Sequence, residues 1–203
     1  MSDSYYLPIM FDMRNKKILL VGGGAIACEK LGRLIECSTE ITVVATECSS
    51  KMNEYIEEFA LTFYNRAYKD SDLDGMDIVI AAVDSPELQL DIFNKARNKK
   101  ILCNAVDLPS YCDFIFPSII RKGDLIVAVS TSGASPAFAK HMKRLLEKLI
   151  PQEIDSFLKM MREKRNSFPK GKERMRMLDE LASDYMGSIA EYMKNALKAT
   201  PKV

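Results

Sequence analysis

Histidine is almost missing from this chain: there is one, His141, and the five cysteines (Cys28, Cys37, Cys48, Cys103, Cys112) are odd in number and include no C-x-x-C pair. That combination argues against a closed zinc site and fits a reducing, cytoplasmic setting. Net charge is missing too. The 29 Lys and Arg against 28 Asp and Glu leave +1, which excludes a wholly basic nucleic-acid coat or an acidic tail protein. No apolar run approaches the roughly 18 residues of a membrane span. The opening MSDSYYLPIMFDMRNKK carries acidic residues and no uninterrupted apolar stretch, so it does not read as a secretory signal. The expectation is a cytoplasmic protein with neither nucleic acid nor membrane as a partner. Internal repeats and low-complexity segments are absent as well.

What is present is ordinary globular material. The chain has 203 residues, 47% hydrophobic and 28% charged, enough for a conventional core in one domain or one domain with an appendage. The charges are unevenly spread: from Lys140 onward there are 15 basic and 9 acidic residues, net +6, which leaves the first 139 residues at −5.

Lys17-Ile-Leu-Leu-Val21 is a continuous apolar run ending in three glycines, as a buried parallel strand would be. Ile26, Lys30, Leu31, Leu34 and Ile35 then recur at helical spacing before a β-branched run, Ile41–Ala45. The alternation continues with a helix at Ser49–Phe59, strands at Leu61–Tyr64 and Asp77–Ala82, a helix at Pro86–Asn98 and a strand at Ile101–Val106. Strands separated by helices, with right-handed crossovers, predict a doubly wound α/β parallel sheet. Past residue 112 the pattern changes. Phe114–Ile120 and Asp124–Ser130 flank Arg121-Lys-Gly123 and predict a β-hairpin. Pro136–Leu149, Gln152–Ser167, Lys172–Met186 and Ser188–Ala199 predict helices, with breaks at Pro151, Pro169-Lys-Gly171 and Gly187. Three zones follow: an α/β domain at 1–112, a hairpin-plus-helix region at 113–150 and an all-helical domain at 151–203.

Gly22-Gly-Gly-Ala-Ile-Ala27 fits G-x-G-x-x-A between a strand and a helix, the context in which that spacing binds a dinucleotide. Gly22 makes the tight turn, Gly24 lets the backbone approach a pyrophosphate, and Ala27 permits close helix packing at the positive helix end. The first acid after the second strand is Glu47, either a ribose ligand or a favourable charge in the first turn of the next helix. No Arg or Lys occupies positions 44–50, which favours NAD over NADP. Ala82-Val83-Asp84 and Asn104-Ala-Val-Asp107 end two further strands on the side where ligands of open α/β sheets bind, so Asp107 is a candidate catalytic carboxylate or a turn residue. Ser130-Thr-Ser-Gly-Ala-Ser-Pro136 reads as an N-cap at Ser135 and as a cradle of Ser130, Ser132 and Ser135, with Lys140 one turn on, for an anionic substrate group. His141 reads as a surface or packing residue.

Together, Leu7-Pro-Ile, Val21–Ala27 with Glu29-Lys30, Ala81–Asp84, Cys103–Asp107, Phe114–Ile120 and Val127–Pro136 resemble the precorrin-2 dehydrogenase family of sirohaem biosynthesis, the sirohaem synthase N-terminal family. The resemblance covers residues 7–150. It implies an NAD-binding domain, a dimerisation region made of the hairpin and following helix, and NAD-dependent oxidation of precorrin-2 to sirohydrochlorin in a homodimer. It further implies Asp107 as the catalytic carboxylate, with Ala25, Ile26, Thr46, Glu47, Val83, Asp84, Asn104 and Val106 in the NAD-contacting segments. Ser132 stands where the family commonly has glycine. The chain is too short for the methyltransferase domain fused to some relatives. The net +6 C-terminal portion suits a substrate carrying acetate and propionate groups, although a solvated helix face explains most such charges.

Two alternatives accompany that reading. Some relatives also insert ferrous iron into sirohydrochlorin, and nothing in the residues separates the two cases. An NAD-sensing DNA-binding regulator would need a recognition helix opening with Arg and Lys; Lys159–Arg176 is basic but is interrupted by Glu163, Pro169, Gly171 and Glu173.

Overall fold

The computed structural model describes residues 6–38, 40–106 and 108–199, so Asp107 lies outside the described residues. The chain divides into two compact units that meet between Ile115 and Phe116.

The first unit is a five-stranded, all-parallel sheet. Its strands are β1 (Ile18–Val21), β2 (Ile41–Ala45), β3 (Thr62–Asn65), β4 (Ile78–Ala81) and β5 (Leu102–Ala105), in spatial order β3-β2-β1-β4-β5. Helices α1 (Ala25–Leu34), α2 (Ser50–Glu58) and α3 (Pro86–Asn98) connect them. β1 and β4 are buried along their whole length, as continuous apolar runs in the middle of a covered sheet must be. Leu19, Val21, Val79 and Ala81 pack with Leu73, Ile92, Ala96 and Cys103 on one face. The α3 boundaries follow from local chemistry. The Ser85 hydroxyl accepts from the Leu88 N–H, Pro86 opens the first turn, and Lys95 and Arg97 sit in the last turn. The β5 edge is closed by the chain that follows it: the Asp113 N–H donates to the Cys103 carbonyl at 2.8 Å and the Asp113 carboxylate accepts from the Cys103 N–H at 2.9 Å. Free strand edges are templates for unwanted pairing, and this segment occupies one.

The second unit begins with the antiparallel hairpin β6 (Ser118–Lys122) and β7 (Leu125–Val129). Its two-residue loop places Gly123 first at φ +56°, the left-handed conformation that the leading residue of a tight hairpin requires. Three helices follow: α4 (Pro136–Leu149), α5 (Ile154–Ser167) and α6 (Lys172–Ala199). Lys122 Nζ donates to the Ile150 carbonyl at 2.5 Å, tying the hairpin to the end of α4, and Arg162 of α5 pairs with Asp124 of the hairpin loop. Phe157 of α5 stacks on Tyr185 of α6 with ring centroids 3.8 Å apart.

One sequence expectation fails here. The predicted break at Gly187 does not occur, and α6 runs for 28 residues. A glycine within a helix costs only about 1 kcal/mol relative to alanine, and tertiary packing readily outweighs that; Ile189, two residues on, is buried.

Candidate dinucleotide cleft

β1 lies between β2, which precedes the reversal of strand order, and β4, which follows it, and crevices form at the carboxyl ends of such strands. The chain leaves β1 under tight control. The Gly22 N–H donates to the Val44 carbonyl at 2.9 Å, and the Ala82 N–H donates to the Val21 carbonyl at 2.8 Å. Gly22 has φ +120°, and a Cβ there would overlap the Ala82 carbonyl, so position 22 must be glycine both for its conformation and for space. Gly23 is equally constrained, because its Cβ would overlap the Glu47 carbonyl. Sequence reasoning gave that middle glycine no role; its signal is only the uninterrupted run of three.

Gly24 differs from both. A Cβ there would meet nothing within 4 Å, so the space beside it is open. It is also the N-cap of α1, with no side-chain capping bond and no acidic residue in the first turn. The first N–H groups of α1 therefore face the cleft without an internal partner, at the positive end of the helix dipole. That is the donor set a pyrophosphate requires.

The cleft over this turn has a volume of about 460 Å³ and brings together Gly24, Ala25, Ile26, Val83, Asp84 and Val106. Its far wall includes Gln89 of α3, which the sequence reading passed over. Gln89 is 6% exposed, its Nε2 donates to the Val83 carbonyl at 2.6 Å, and its Oε1 is buried with no partner. An orphaned buried acceptor is uncommon and marks a place where a donor is expected. A polar residue on the otherwise apolar inward face of α3 (Leu88, Ile92, Ala96) was the available signal.

Thr46 and Glu47 are exposed in the loop between β2 and α2, and do not line the cleft floor. Of the two readings of Glu47, the helix-dipole charge is not realised: α2 is capped by Ser49, which accepts from the Met52 N–H, and no acid lies in its first turn. Glu47 precedes that cap by two residues. Arg66 has its backbone N–H on the Ala45 carbonyl at 3.1 Å, but its guanidinium is bound bidentately by Asp72 at 2.6 and 2.8 Å. The first turn of α2 and the end of β3 thus add no free guanidinium for a 2′-phosphate.

Asn104 is 5% exposed, and its side-chain amide donates to the Phe114 carbonyl at 2.8 Å. It sits behind the cleft wall at the end of β5. Cys103, buried beside it, has its thiol pushed up to about 12 by that burial and behaves as a core residue.

The hydroxyl loop belongs to the second unit. Ser135 caps α4, its Oγ accepting from the Phe138 N–H at 3.2 Å, and its own N–H donates to Thr131 Oγ1 at 2.9 Å. Ser130 accepts from the Ser132 N–H at 3.0 Å. Ser132 has φ +53°, a conformation that glycine adopts freely and other residues rarely do. This gives a physical reason for the glycine common at that position. Lys140 and His141 are both exposed on α4.

The parallel sheet and the uncapped glycine turn define a dinucleotide-binding α/β domain. Residues 9–118 match the family described as "Putative NAD(P)-binding", and residues 122–149 match "Sirohaem biosynthesis protein central". The chain belongs to the first of these families, the NAD(P)-binding one, and the sirohaem biosynthesis central region follows directly after it. Among its relatives are siroheme synthase 1 of Aeromonas hydrophila subsp. hydrophila, 31% identical over 88% of this chain and 39% of its own length, and siroheme synthase of Citrobacter koseri, 38% identical over 73% and 33%. The chain spans between about a third and two fifths of these relatives. A solved structure described as "SirC, precorrin-2 dehydrogenase" matches 95% of this chain and all of its own, with a TM-score of 0.71 at 23% identity, which speaks to the fold. No helix among the described residues is long and apolar enough to cross a membrane.

Proposed function

We propose that this chain oxidises precorrin-2 to sirohydrochlorin with NAD as the hydride acceptor. The observation that carries the reading is the uncapped α1 N-terminus over an open glycine turn, in a chain whose next region matches the sirohaem central domain. Sirohaem synthases and a precorrin-2 dehydrogenase among the similar proteins support the same substrate.

Oxidation of the macrocycle removes one hydride and one proton. NAD, when bound, supplies the two-electron acceptor for the hydride. The backbone N–H groups of Gly24, Ala25 and Ile26 would hold the pyrophosphate, and Val83, Asp84 and Val106 would line the rest of the dinucleotide site. Thr46 and Glu47, in the loop after β2, would contact the adenosine ribose. Asp107 follows Val106 directly and takes the proton, or holds a pyrrole N–H in place for its removal. Ser130, Ser132 and Lys140 receive a substrate carboxylate, and Ser135, whose hydroxyl oxygen accepts from the Phe138 N–H, still has its O–H to donate.

The reading includes a homodimer. Of the ten strand residues in the hairpin only Ile120 is buried; Leu125 and Val127 on its own face remain half-exposed, as do Ile119 and Ile126 on the opposite face, which also carries the exposed Ala128. An isolated two-stranded ribbon with an open apolar face is marginal in water, and a second copy offers the missing surface.

The Asp107 variants test the chemistry. Replacement by alanine should lower the oxidation rate by about 10²–10⁴, the usual worth of a positioned general base, with NAD affinity unchanged. Asparagine keeps the shape and cannot accept the proton, so an active Asp107→Asn assigns an orienting role. Activity of Asp107→Ala within a few-fold of the parent contradicts the assignment altogether.

A further inference from the structure

The chain that follows β5 turns back on itself within eight residues, and one side chain holds both ends of the turn. Cys112 forms an antiparallel bridge with Asn104. Its thiol donates to the Ala105 carbonyl at 3.1 Å, with the Leu108 carbonyl also in reach at 3.5 Å. On its other side Sγ accepts from the buried Asn104 amide at 3.4 Å. Ala105 and Leu108 bracket Val106, which lines the dinucleotide cleft, and Asp107. Backbone bonds tighten the same turn: the Leu108 N–H donates to the Ala105 carbonyl at 3.2 Å and the Tyr111 N–H to the Leu108 carbonyl at 2.8 Å. Tyr111 in turn rests on Phe93 of α3, ring centroids 5.3 Å apart, so the outer side of the turn has an anchor of its own.

We infer that Cys112 is a positioning residue for the turn that carries Asp107, fixing the carbonyls two residues before and one residue after that carboxylate. The inference rests on the reading of Asp107 as the proton-handling group. The thiol serves as a hydrogen-bond donor and not as a nucleophile: half-buried, with desolvation raising its pKa above the ordinary thiol value, it keeps its proton at neutral pH. Its neighbours agree. The Asn104 amide that meets Sγ also reaches the Phe114 carbonyl, and Asp113 clamps the Cys103 backbone, so the two residues after Cys112 are held against β5 and the thiol adds to the backbone bonds of the turn before it.

The test uses four variants of the full chain, Cys112→Val, Cys112→Ser, Asp107→Ala and the double variant Asp107→Ala/Cys112→Val, each measured for kcat, the KM for NAD, NAD affinity and thermal midpoint. Valine fills the space without a donor. The expected result is a fall in kcat of about ten- to a hundredfold, the scale of loss when a catalytic group is misplaced by about 1 Å, with KM and affinity for NAD within twofold of the parent. Serine restores a donor and should recover kcat to within about fivefold. In the Asp107→Ala background, Cys112→Val should lower the residual rate no further. An unchanged kcat for Cys112→Val, with Asp107→Ala inactive, overturns the positioning role alone. Equal losses in kcat, NAD affinity and thermal midpoint, unrelieved by serine, also overturn it, because they describe a packing residue. An active Asp107→Ala instead removes the reading on which the inference stands.

Discussion

Gly23 approaches the Glu47 carbonyl so closely that a Cβ at position 23 would overlap it, while a Cβ at the adjacent Gly24 would meet nothing within 4 Å. Two neighbouring glycines therefore differ: position 23 is limited by the protein's own backbone, whereas at position 24 only a bound ligand is expected to exclude a side chain. Gly23→Ala should force the β1–α1 turn away from the loop after β2 and lower stability by about 1–3 kcal/mol, the usual cost of overpacking. Gly24→Val should leave stability within about 1 kcal/mol and weaken NAD binding at least tenfold. Thermal denaturation and NAD titration on both variants separate the two, and equal effects on both properties would contradict the distinction.

An expected preference for NAD over NADP follows from Arg66 and its surroundings. Its guanidinium is engaged by Asp72, positions 44–50 carry no cation, and the Lys51 ammonium in the first turn of α2 lies over the Tyr55 ring at 5.5 Å, so the expected preference is for a ribose without a 2′-phosphate. Titration should give tighter binding of NAD than of NADP. Equal or tighter binding of NADP would contradict the placement of the ribose beside Glu47.

Most of the first unit is legible in the sequence because β1, β2 and β4 are uninterrupted apolar or β-branched runs and α2 and α3 open with plain caps, at Ser49 and Ser85-Pro86. The crevice is legible because G-x-G-x-x-A stands directly after β1 and directly before α1, the context in which that spacing binds a dinucleotide. What sequence could not supply are contacts between distant backbones. Gly23 matters because β2's loop happens to pass it, and Gln89 matters because its Nε2 holds the Val83 carbonyl. Gly187 was overread as a break because propensity is a local term, whereas a buried neighbour such as Ile189 holds the helix through it.

Asp72 gives the fold an acid-sensitive point. Hydrogen bonds from the Arg66 guanidinium, and secondarily from the Lys69 backbone N–H, hold its carboxyl below the usual carboxylate range. A depressed folded-state pKa contributes stability that is fully present above the unfolded value of about 3.9 and is lost as pH falls through the lower folded value. Asp72→Asn should therefore destabilise the protein at neutral pH by about 1.5–3 kcal/mol, the worth of hydrogen bonds to a charged group, and the deficit should shrink below about pH 4. Urea unfolding of both proteins across that range checks it; a deficit independent of pH would assign the loss to packing.

The half-exposed hairpin face predicts self-association. Sedimentation at micromolar concentration should give a dimer, and Ile126→Lys, which places a charge on that face, should give a monomer. A stable monomer for the parent chain would contradict the homodimer.

The central claim is tested most directly by supplying precorrin-2 and NAD to the purified chain under anaerobic conditions and following both chromophores. The account predicts one NADH formed for each sirohydrochlorin, with no oxidation when NAD is omitted and a loss of about 10²–10⁴ in rate for Asp107→Ala. Sirohydrochlorin appearing at the same rate without NAD, or precorrin-2 persisting unchanged in the presence of NAD bound to a folded protein, would contradict it.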